Sequence, residues 1–195
     1  MERHDWNARY AEADLVWSAG PNRLLVEQVA GLGPGRALDV AAGEGRNALW
    51  LAAQGWRVTA VDFAAVGLDK GRRQAAALGL AVEWVEADVR AWLPPPAAFD
   101  LAVVLYLHLP PAERREVLAG ASFALAPGGT LLVIGHDTRN LDEGVGGPRD
   151  REVLLDPAEV AGELRGVEVE RAETVERPTD AGVALDALVR ARVPA

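Results

Sequence analysis

Short apolar runs alternate with stretches of helical spacing through the middle of the chain. Runs rich in Val, Leu and Ala predict strands at residues 36–40, 57–62, 82–86, 100–105 and 130–135. They show little polar alternation, which is typical of strands covered by helices on both faces. The segments between them predict helices at residues 44–54, 65–78 and 111–125. This alternation indicates parallel βαβ units with right-handed crossovers.

The two ends of the chain have different patterns. Residues 5–12, 22–31 and 157–164 predict further short helices, and residues 137–150 predict a loop. Alternating segments predict an antiparallel pair at a sheet edge, at residues 167–175 and 183–193. The expected fold is therefore α/β, a Rossmann-like, doubly wound, seven-stranded mixed sheet with helices on both faces and the last strand antiparallel.

Composition narrows the classes of function. The 195 residues include 20 Lys and Arg against 29 Asp and Glu, a net charge of −9, which argues against a nucleic-acid-binding surface. The chain has no cysteine, which excludes disulfides, thiolate zinc sites and cysteine nucleophiles. Its longest nearly unbroken apolar stretch, residues 101–109, is shorter than the ~20 residues of a membrane span. With no signal-peptide pattern at Met1, we expect a cytoplasmic protein.

The most informative stretch is residues 37–47, where a strand ends, a loop of small residues follows and a helix begins. Glycine is the usual residue of a tight strand-to-helix turn, so a structural role accounts for the loop as well. The functional interpretation is a ligand at the helix N-terminus. The spacing Ala41-x-Gly43-x-Gly45 differs from the G-x-G-x-x-G of dinucleotide-binding proteins.

Three acids follow three successive strands. Asp39 precedes the loop, and a buried acid there needs hydrogen bonds from loop N–H groups or from a ligand ammonium. Asp62, 23 residues later, is a candidate for the ribose hydroxyls or a cap for the helix after it. Asp88 is a third candidate, or a cap for residues 90–93. Three carboxylates at one sheet edge would repel a pyrophosphate but suit a ligand with a cation, a ribose and an adenine.

This ordered series resembles the class I S-adenosylmethionine-dependent methyltransferases. Within them it is similar to the small-molecule group related to tellurite-resistance and thiopurine methyltransferases. The resemblance covers residues 21–136, and residues 6–22 are similar to that group's N-terminal lid. It implies S-adenosylmethionine as the cofactor, and in-line methyl transfer to a small molecule.

The resemblance also implies roles for individual residues. The methionine part would contact the loop, the ribose Asp62, the adenine Asp88 and its neighbours, and the methyl group the end of the fourth strand. The implied cofactor-binding residues are Asp39, Ala41, Gly43, Arg46, Asp62, Phe63, Asp88, Val89, Leu105, Tyr106 and Trp17. Ala41 departs from the family, which usually has glycine there, and alanine disfavours a positive φ.

Two histidines are the candidate catalytic residues. His108 follows the fourth strand and His136 ends the fifth, and either could remove a proton from a hydroxyl or amine acceptor. A surface histidine is the alternative for His108, and metal binding with Asp137 is the alternative for His136. We expect no metal. Arg139 and Arg149, in the predicted loop, could pair with an acidic substrate or remain solvated.

These observations predict one methyltransferase domain over residues 1–195. Its parts would be an N-terminal helical lid at 1–31, a cofactor-binding core at 36–136, and a substrate loop and terminal hairpin at 137–195. Three alternatives remain open at this point: a nucleic-acid methyltransferase, an NAD-dependent oxidoreductase, and a non-catalytic protein that binds S-adenosylmethionine.

Overall fold

The computed structural model describes residues 2–16 and 20–195, whose strands form one mixed sheet in the order β3-β2-β1-β4-β5-β7-β6. The strands are β1 (Arg36–Val40), β2 (Arg57–Asp62), β3 (Val82–Glu86), β4 (Phe99–Leu105), β5 (Leu125–His136), β6 (Glu168–Thr179) and β7 (Gly182–Arg192). The sequence prediction of a seven-stranded Rossmann-like α/β sheet with an antiparallel last strand is confirmed.

Helices lie between the strands and before the first one. They are α1 (Arg3–Glu12), α2 (Arg23–Val29), α3 (Arg46–Ala53), α4 (Ala65–Leu78), α5 (Pro111–Phe123), α6 (Asn140–Glu143) and α7 (Pro157–Glu163), with a 3-10 turn at Arg151–Val153. Local sequence accounts for several helix ends. Asp156 accepts hydrogen bonds from the N–H groups of Ala158 and Glu159 at the start of α7. Gly79 ends α4 in the left-handed region, with φ of 67°.

The chain divides into two compact units. The first unit contains residues 1–93 and 99–101, and the second contains residues 94–98 and 102–195. In the first unit, β1, β2 and β3 pair in parallel, so the residues that follow them lie at the same edge. The Trp84 ring of β3 packs so close to Gly45 and Gly71 that a Cβ at either position would lie within 2.4 Å of it.

The second unit is built on antiparallel pairing. β7 pairs with both β5 and β6, and its register places Asp186 opposite His136 on one side and opposite Val175 on the other. A nearly buried ion pair joins α5 to α7, because Arg114 Nη2 lies 2.7 Å from Glu163 Oε1. The core between these elements is aliphatic, and includes the fully buried Leu118 and Leu188.

Most predicted elements are present with boundaries that differ by a few residues, and two of these differences have a clear local cause. Helix α3 begins at Arg46 and not at Glu44, because Gly45 adopts a φ of 77° that no helix contains. Strand β5 begins at Leu125 and not at Thr130, because Val193 and the Gly128-Gly129 turn exchange backbone hydrogen bonds that extend the ladder. The loop predicted at residues 137–150 contains the four-residue helix α6.

Candidate active site

The loop between β1 and α3 turns sharply by using left-handed backbone at alternate positions. Ala41, Gly43 and Gly45 have φ of 58°, 58° and 77°. Glycine adopts this conformation freely, whereas an L side chain in it costs about 1–2 kcal/mol. The strain that the sequence indicated for Ala41 is therefore present in the structure.

Asp39 is a buried carboxylate with an unpartnered oxygen. Its residue is 1% exposed, and Oδ2 has no hydrogen-bond partner. Burial, with the nearby charge of Asp62, raises the pKa of Asp39 to about 7, although the N–H of Ala48 and the charge of Arg46 act in the opposite direction. An orphaned polar atom in a buried position indicates a missing partner.

Asp62 fixes the loop to the start of α4. Its Oδ2 accepts from the N–H of Gly43 and its Oδ1 from the N–H of Ala64, both at 2.8 Å. Burial raises the pKa of Asp62, against the effect of hydrogen bonds from the N–H groups of Ala64, Gly43 and Phe63. The capping contact that the sequence allowed is thus present, and the carboxylate keeps acceptor capacity for a further donor.

Asp88 lies at the same edge but already faces a cation. Its carboxylate accepts hydrogen bonds from Arg90, including one of 2.7 Å from Nη2, and these hold the pKa of Asp88 below its usual range. The N–H of Arg90 donates to Oδ1, and the carbonyl of Asp88 accepts from Ala91 and Trp92, so Asp88 also caps this turn. The charge of Asp62 raises the pKa of Asp39, and the charge of Asp88 raises the pKa of Asp62, so the three acids lie in one region.

The remaining cofactor candidates of the first unit lie around these acids. Phe63 and Val89, which directly follow Asp62 and Asp88, are half-buried, and Arg46 is the first residue of α3. Trp17, also predicted for the cofactor, lies outside the described residues. Tyr10 of α1 is buried, and a Cβ added at Gly43 would lie 2.6 Å from its hydroxyl oxygen.

An ion pair that the sequence analysis did not identify attaches the N-terminal segment to this loop. Lys70 Nζ lies 2.9 Å from Glu44 Oε1, with side chains 11% and 3% exposed. Lys70 also donates to the carbonyl of Ala13, and both Glu44 oxygens accept from the N–H of Val16. The signals available in the sequence were a single lysine in the whole chain and an acid inside a glycine loop.

The second unit contains a different carboxylate cluster. Asp186 is fully buried, and its Oδ2 accepts from the Tyr106 hydroxyl at 2.5 Å and from Arg177 Nε at 2.6 Å. The Arg177 guanidinium also lies 5.6 Å from the centroid of the Tyr106 ring. Tyr106 directly follows β4 with a φ of 55°, and its N–H donates to Ile134. Such strained residues are frequent at functional sites.

The two candidate histidines lie together in this cluster. The rings of His108 and His136 stack with centroids 5.5 Å apart, and His136 Nδ1 lies 3.4 Å from Asp186 Oδ1. Burial lowers the pKa of both histidines, that of His108 to about 4. The opposite charge of Asp186 partly offsets this effect. His108 Nε2 and His136 Nδ1 are buried without a hydrogen-bond partner.

The segment after β5 packs on this cluster. A Cβ at Gly147 would lie 2.8 Å from the His136 ring, so the backbone here directly contacts the imidazole. Arg139, predicted as a possible substrate contact, forms an ion pair with Glu143 at 2.6 Å. Within residues 2–16 and 20–195, no group of three His, Cys, Asp or Glu side chains has the arrangement of a metal site.

The comparisons with known proteins agree with the order of strands and acids. Residues 37–129 match the family described as a methyltransferase domain. A demethylmenaquinone methyltransferase from Thermus thermophilus is 38% identical over 124 residues, which make up 63% of this chain and 54% of that protein. Residues 37–129 therefore form a methyltransferase domain, and the resemblance to the class I S-adenosylmethionine-dependent methyltransferases is confirmed.

Solved methyltransferase structures have the same fold. The Burkholderia thailandensis 1,6-didemethyltoxoflavin N1-methyltransferase, solved with its substrate and S-adenosylhomocysteine, has a TM-score of 0.75 and 25% identity, over 99% of this chain and 87% of that one. TehB from Haemophilus influenzae has a TM-score of 0.74 and 16% identity, over 96% and 66%. The resemblance to the small-molecule group is confirmed.

The chain matches its curated relatives over only part of their length. The chain spans about half the length of curated relatives such as the Thermus enzyme and a trans-aconitate 2-methyltransferase from Paracidovorax citrulli. Across the described parts of this methyltransferase chain, every helix is too short or too polar to cross a bilayer.

The hydrogen-bond acceptors of the first unit fit the cofactor of the methyltransferase family. The unpartnered Asp39 Oδ2 can accept a hydrogen bond from an ammonium group, and the Asp62 carboxylate can accept from a hydroxyl group beside its backbone contacts. The half-buried Phe63 and Val89 offer apolar surface for a planar ring.

Proposed function

We propose that this chain is an enzyme that transfers the methyl group of S-adenosylmethionine to a small molecule by in-line displacement. When bound, S-adenosylmethionine supplies an electrophilic methyl carbon on a positively charged sulfur. The protein then needs to align the acceptor with that carbon and to exclude water. The observation that carries the proposal is the orphaned oxygen of Asp39, buried beside the left-handed loop of a methyltransferase domain.

Different residues of the first unit bind different parts of the cofactor. Asp39 accepts from the ammonium of the methionine part, and the turn of Ala41, Gly43 and Arg46 lets the backbone approach it. Asp62 accepts from the ribose hydroxyls, with the acceptor capacity that its backbone contacts leave.

The adenine ring is contacted by Phe63, Asp88 and Val89. The carboxylate of Asp88 accepts from the adenine amino group, for which its contact with Arg90 must loosen or be shared. From the family resemblance, Trp17, Leu105 and Tyr106 are further cofactor contacts. These roles stay predictions, as do a cytoplasmic location and the absence of nucleic-acid partners.

A small molecule is the acceptor class that the chain's properties favour. A net charge of −9 disfavours a polyanionic substrate such as a nucleic acid. The Burkholderia relative of similar fold methylates a small heterocycle, according to its name. The acceptor would be handled by His108 and His136 of the second unit, the two candidate bases.

Calorimetry tests the cofactor assignment. Wild type should bind S-adenosylmethionine and S-adenosylhomocysteine, and Asp62→Ala should weaken both by about 10- to 100-fold, because a charged acceptor of two hydroxyl groups is lost. Asp69→Ala is the matched control, since Asp69 lies on α4 of the same unit with an exposed side chain paired to Arg72. It should leave the affinity unchanged.

Three outcomes would contradict the proposal. Unchanged affinity of Asp62→Ala would remove the ribose assignment. Tight binding of NAD in place of S-adenosylmethionine would favour an oxidoreductase. Cofactor binding without any S-adenosylhomocysteine released over a broad panel of small-molecule acceptors would favour a non-catalytic binding protein.

A further inference from the structure

The cluster around Asp186, which we call the Asp186 cluster, consists of Asp186, Tyr106, His108, His136 and Arg177. It differs from an ordinary buried ion pair because two of its ring nitrogens have no hydrogen-bond partner. Asp186 itself has Tyr106 and Arg177 as hydrogen-bond donors, so its charge is well compensated. The two imidazoles beside it are not, since His108 Nε2 and His136 Nδ1 are both buried without partners. Leaving buried nitrogen atoms unpaired costs free energy, which a purely structural cluster would avoid by using apolar side chains.

The geometry distinguishes the roles of the two nitrogens of His136. Nδ1 is the nitrogen that faces the Asp186 carboxylate, at 3.4 Å, so a short movement of the ring would complete a hydrogen bond. A proton on Nδ1 leaves Nε2 as a bare acceptor, and the side chain is 12% exposed. The ring is held in place by the stacked His108, by the edge of Tyr106 at 5.3 Å and by the backbone at Gly147.

Burial favours the neutral form of His136. It lowers the pKa of His136, while the charge of Asp186 raises this pKa by favouring the imidazolium and the charge of Arg177 lowers it further. The neighbouring His108 has its own pKa lowered to about 4, so it is an uncharged stacking partner at neutral pH. A neutral imidazole backed by a carboxylate is the arrangement of a general base.

We propose that His136 is the general base for a protic acceptor, one whose nucleophile is a hydroxyl oxygen or a ring N–H, and that Asp186 is its positioning residue. The inference rests on the proposed methyltransferase function and deepens it by naming the acceptor class. Tyr106 and Arg177 hold the Asp186 carboxylate in place by donating hydrogen bonds to it.

The step balances with no further reactant. The proton of the acceptor's O–H or N–H moves to His136 Nε2, and its bonding pair stays on the acceptor. That pair forms the new bond to the methyl carbon while the carbon–sulfur bond breaks and its electrons return to sulfur. Asp186 stabilises the imidazolium that forms, which then releases the proton to water. A thiol acceptor ionises readily and would not need this base.

Nitrogen-15 NMR of the histidines tests the positioning role without any acceptor. The chain has three histidines, and His4, whose side chain is 84% exposed, provides a reference signal. Wild-type His136 should carry its proton on Nδ1. Asp186→Asn should lower the measured pKa of His136 by about one unit and redistribute the proton between the nitrogens, because an opposite charge is lost.

Two further variants keep the test decisive. Asp137→Asn is the matched control: Asp137 is equally buried and adjacent in sequence, but accepts from Thr174 and from the N–H of Arg139. It should leave the His136 titration unchanged. Tyr106→Phe removes the hydroxyl that competes for Asp186 and keeps the ring against His136, so the pKa of His136 should rise, which tests the cluster even where Asp186→Asn fails to fold.

The acceptor class is tested with a phenol and the thiophenol of the same skeleton, each with S-adenosylmethionine. His136→Gln should reduce phenol methylation by about 10²-fold or more and affect thiophenol far less. Methylation of the thiophenol alone, a wild-type proton on His136 Nε2, or an unchanged titration in Asp186→Asn would each overturn the inference. Calorimetric binding of S-adenosylmethionine separates these failures from a failure of the proposed function, because that function rests on Asp39 and Asp62, which lie in the first unit and outside the Asp186 cluster.

Discussion

Two buried aspartates, one in each unit, are arranged in opposite ways. Asp39 in the first unit has an oxygen without a donor and another carboxylate, Asp62, near it. Asp186 in the second unit has a phenol, a guanidinium and an imidazole around it. Each lies near a non-glycine residue with positive φ, Ala41 for the first and Tyr106 for the second.

The difference separates two uses of a buried charge. The incompletely paired Asp39 destabilises the free protein, so a cationic ligand that supplies the missing donor gains binding free energy there. The compensated Asp186 instead fixes the orientation of its neighbours. Replacing the two aspartates should therefore change stability in opposite directions.

The largest effect should come from Asp186→Ala. It leaves the half-buried guanidinium of Arg177 and the Tyr106 hydroxyl without their acceptor, which should cost about 3–5 kcal/mol of the free energy of unfolding in urea. Asp100→Ala is the control, because Asp100 also pairs with an arginine, Arg36, but with side chains 39% (Arg36) and 43% (Asp100) exposed. Equal losses in the two variants would show that Asp186 has no special role in stability.

Asp39→Asn should stabilise the protein, and more so at higher pH. Burial raises the pKa of Asp39 from 3.8 to about 7, so between these values the folded chain holds a proton that the unfolded chain has released. Wild-type stability should therefore fall as pH rises from about 4 to about 7. Asparagine removes this dependence, and the gain above pH 7 should reach about 2–4 kcal/mol, at roughly 1.4 kcal/mol per unit of pKa.

Asp88→Asn provides the contrast in the same unit. Arg90 lowers the pKa of Asp88, so this carboxylate contributes stability above its unfolded pKa, which is lost as pH falls. Its replacement should give no gain at high pH. Thermal unfolding at pH 5 and pH 8 measures both variants, and a pH-independent difference for Asp39→Asn would contradict the ionisation of a buried Asp39.

The contact between the loop and His136 can be tested with two neighbouring glycines. Gly146 and Gly147 have φ of 72° and 79°, so alanine is strained at both, but only at Gly147 does a Cβ meet the imidazole. Gly147→Ala should cost about 1–3 kcal/mol more than Gly146→Ala and shift the His136 NMR signals. Equal destabilisation would mean that the loop does not hold the ring.

The smallest effect concerns the loop strain beside Asp39. Ala41→Gly should stabilise the protein by about 0.5–1 kcal/mol, because relief of the left-handed strain exceeds the added entropy of the unfolded chain. Ala42→Gly, at the next position, should destabilise by a similar amount because only the entropy changes. A loss of stability in Ala41→Gly would show that the alanine methyl group makes favourable contacts.

The sequence predicted the first unit better than the second for a physical reason. Asp39, Asp62 and Asp88 each lie at or just beyond the carboxyl end of a parallel strand, and such ends meet at one edge whatever their exact register. The contact of His136 with Asp186 depends instead on the antiparallel register of β5 and β7, which local patterns do not determine. An acid within the apolar run of residues 183–189 was its one signal.

The contacts of the N-terminal segment could not be predicted from the sequence either. Glu44 was expected inside a helix, but Gly45 delays the helix and leaves the Glu44 side chain to bind Lys70 and Val16. Such a contact joins residues far apart in the chain, and neither partner has a periodic pattern around it that would indicate the pairing.

Lys70 gives the chain an unusual cleavage map. As the only lysine, it offers a lysine-specific protease a single cut, between Lys70 and Gly71 in the middle of α4. The protease cannot reach this bond while Lys70 is paired with Glu44 and the helix is intact. The rate of cleavage therefore measures how often the first unit unfolds locally. Slower digestion with S-adenosylmethionine added would report occupancy from two fragments on a gel, with no label and no acceptor.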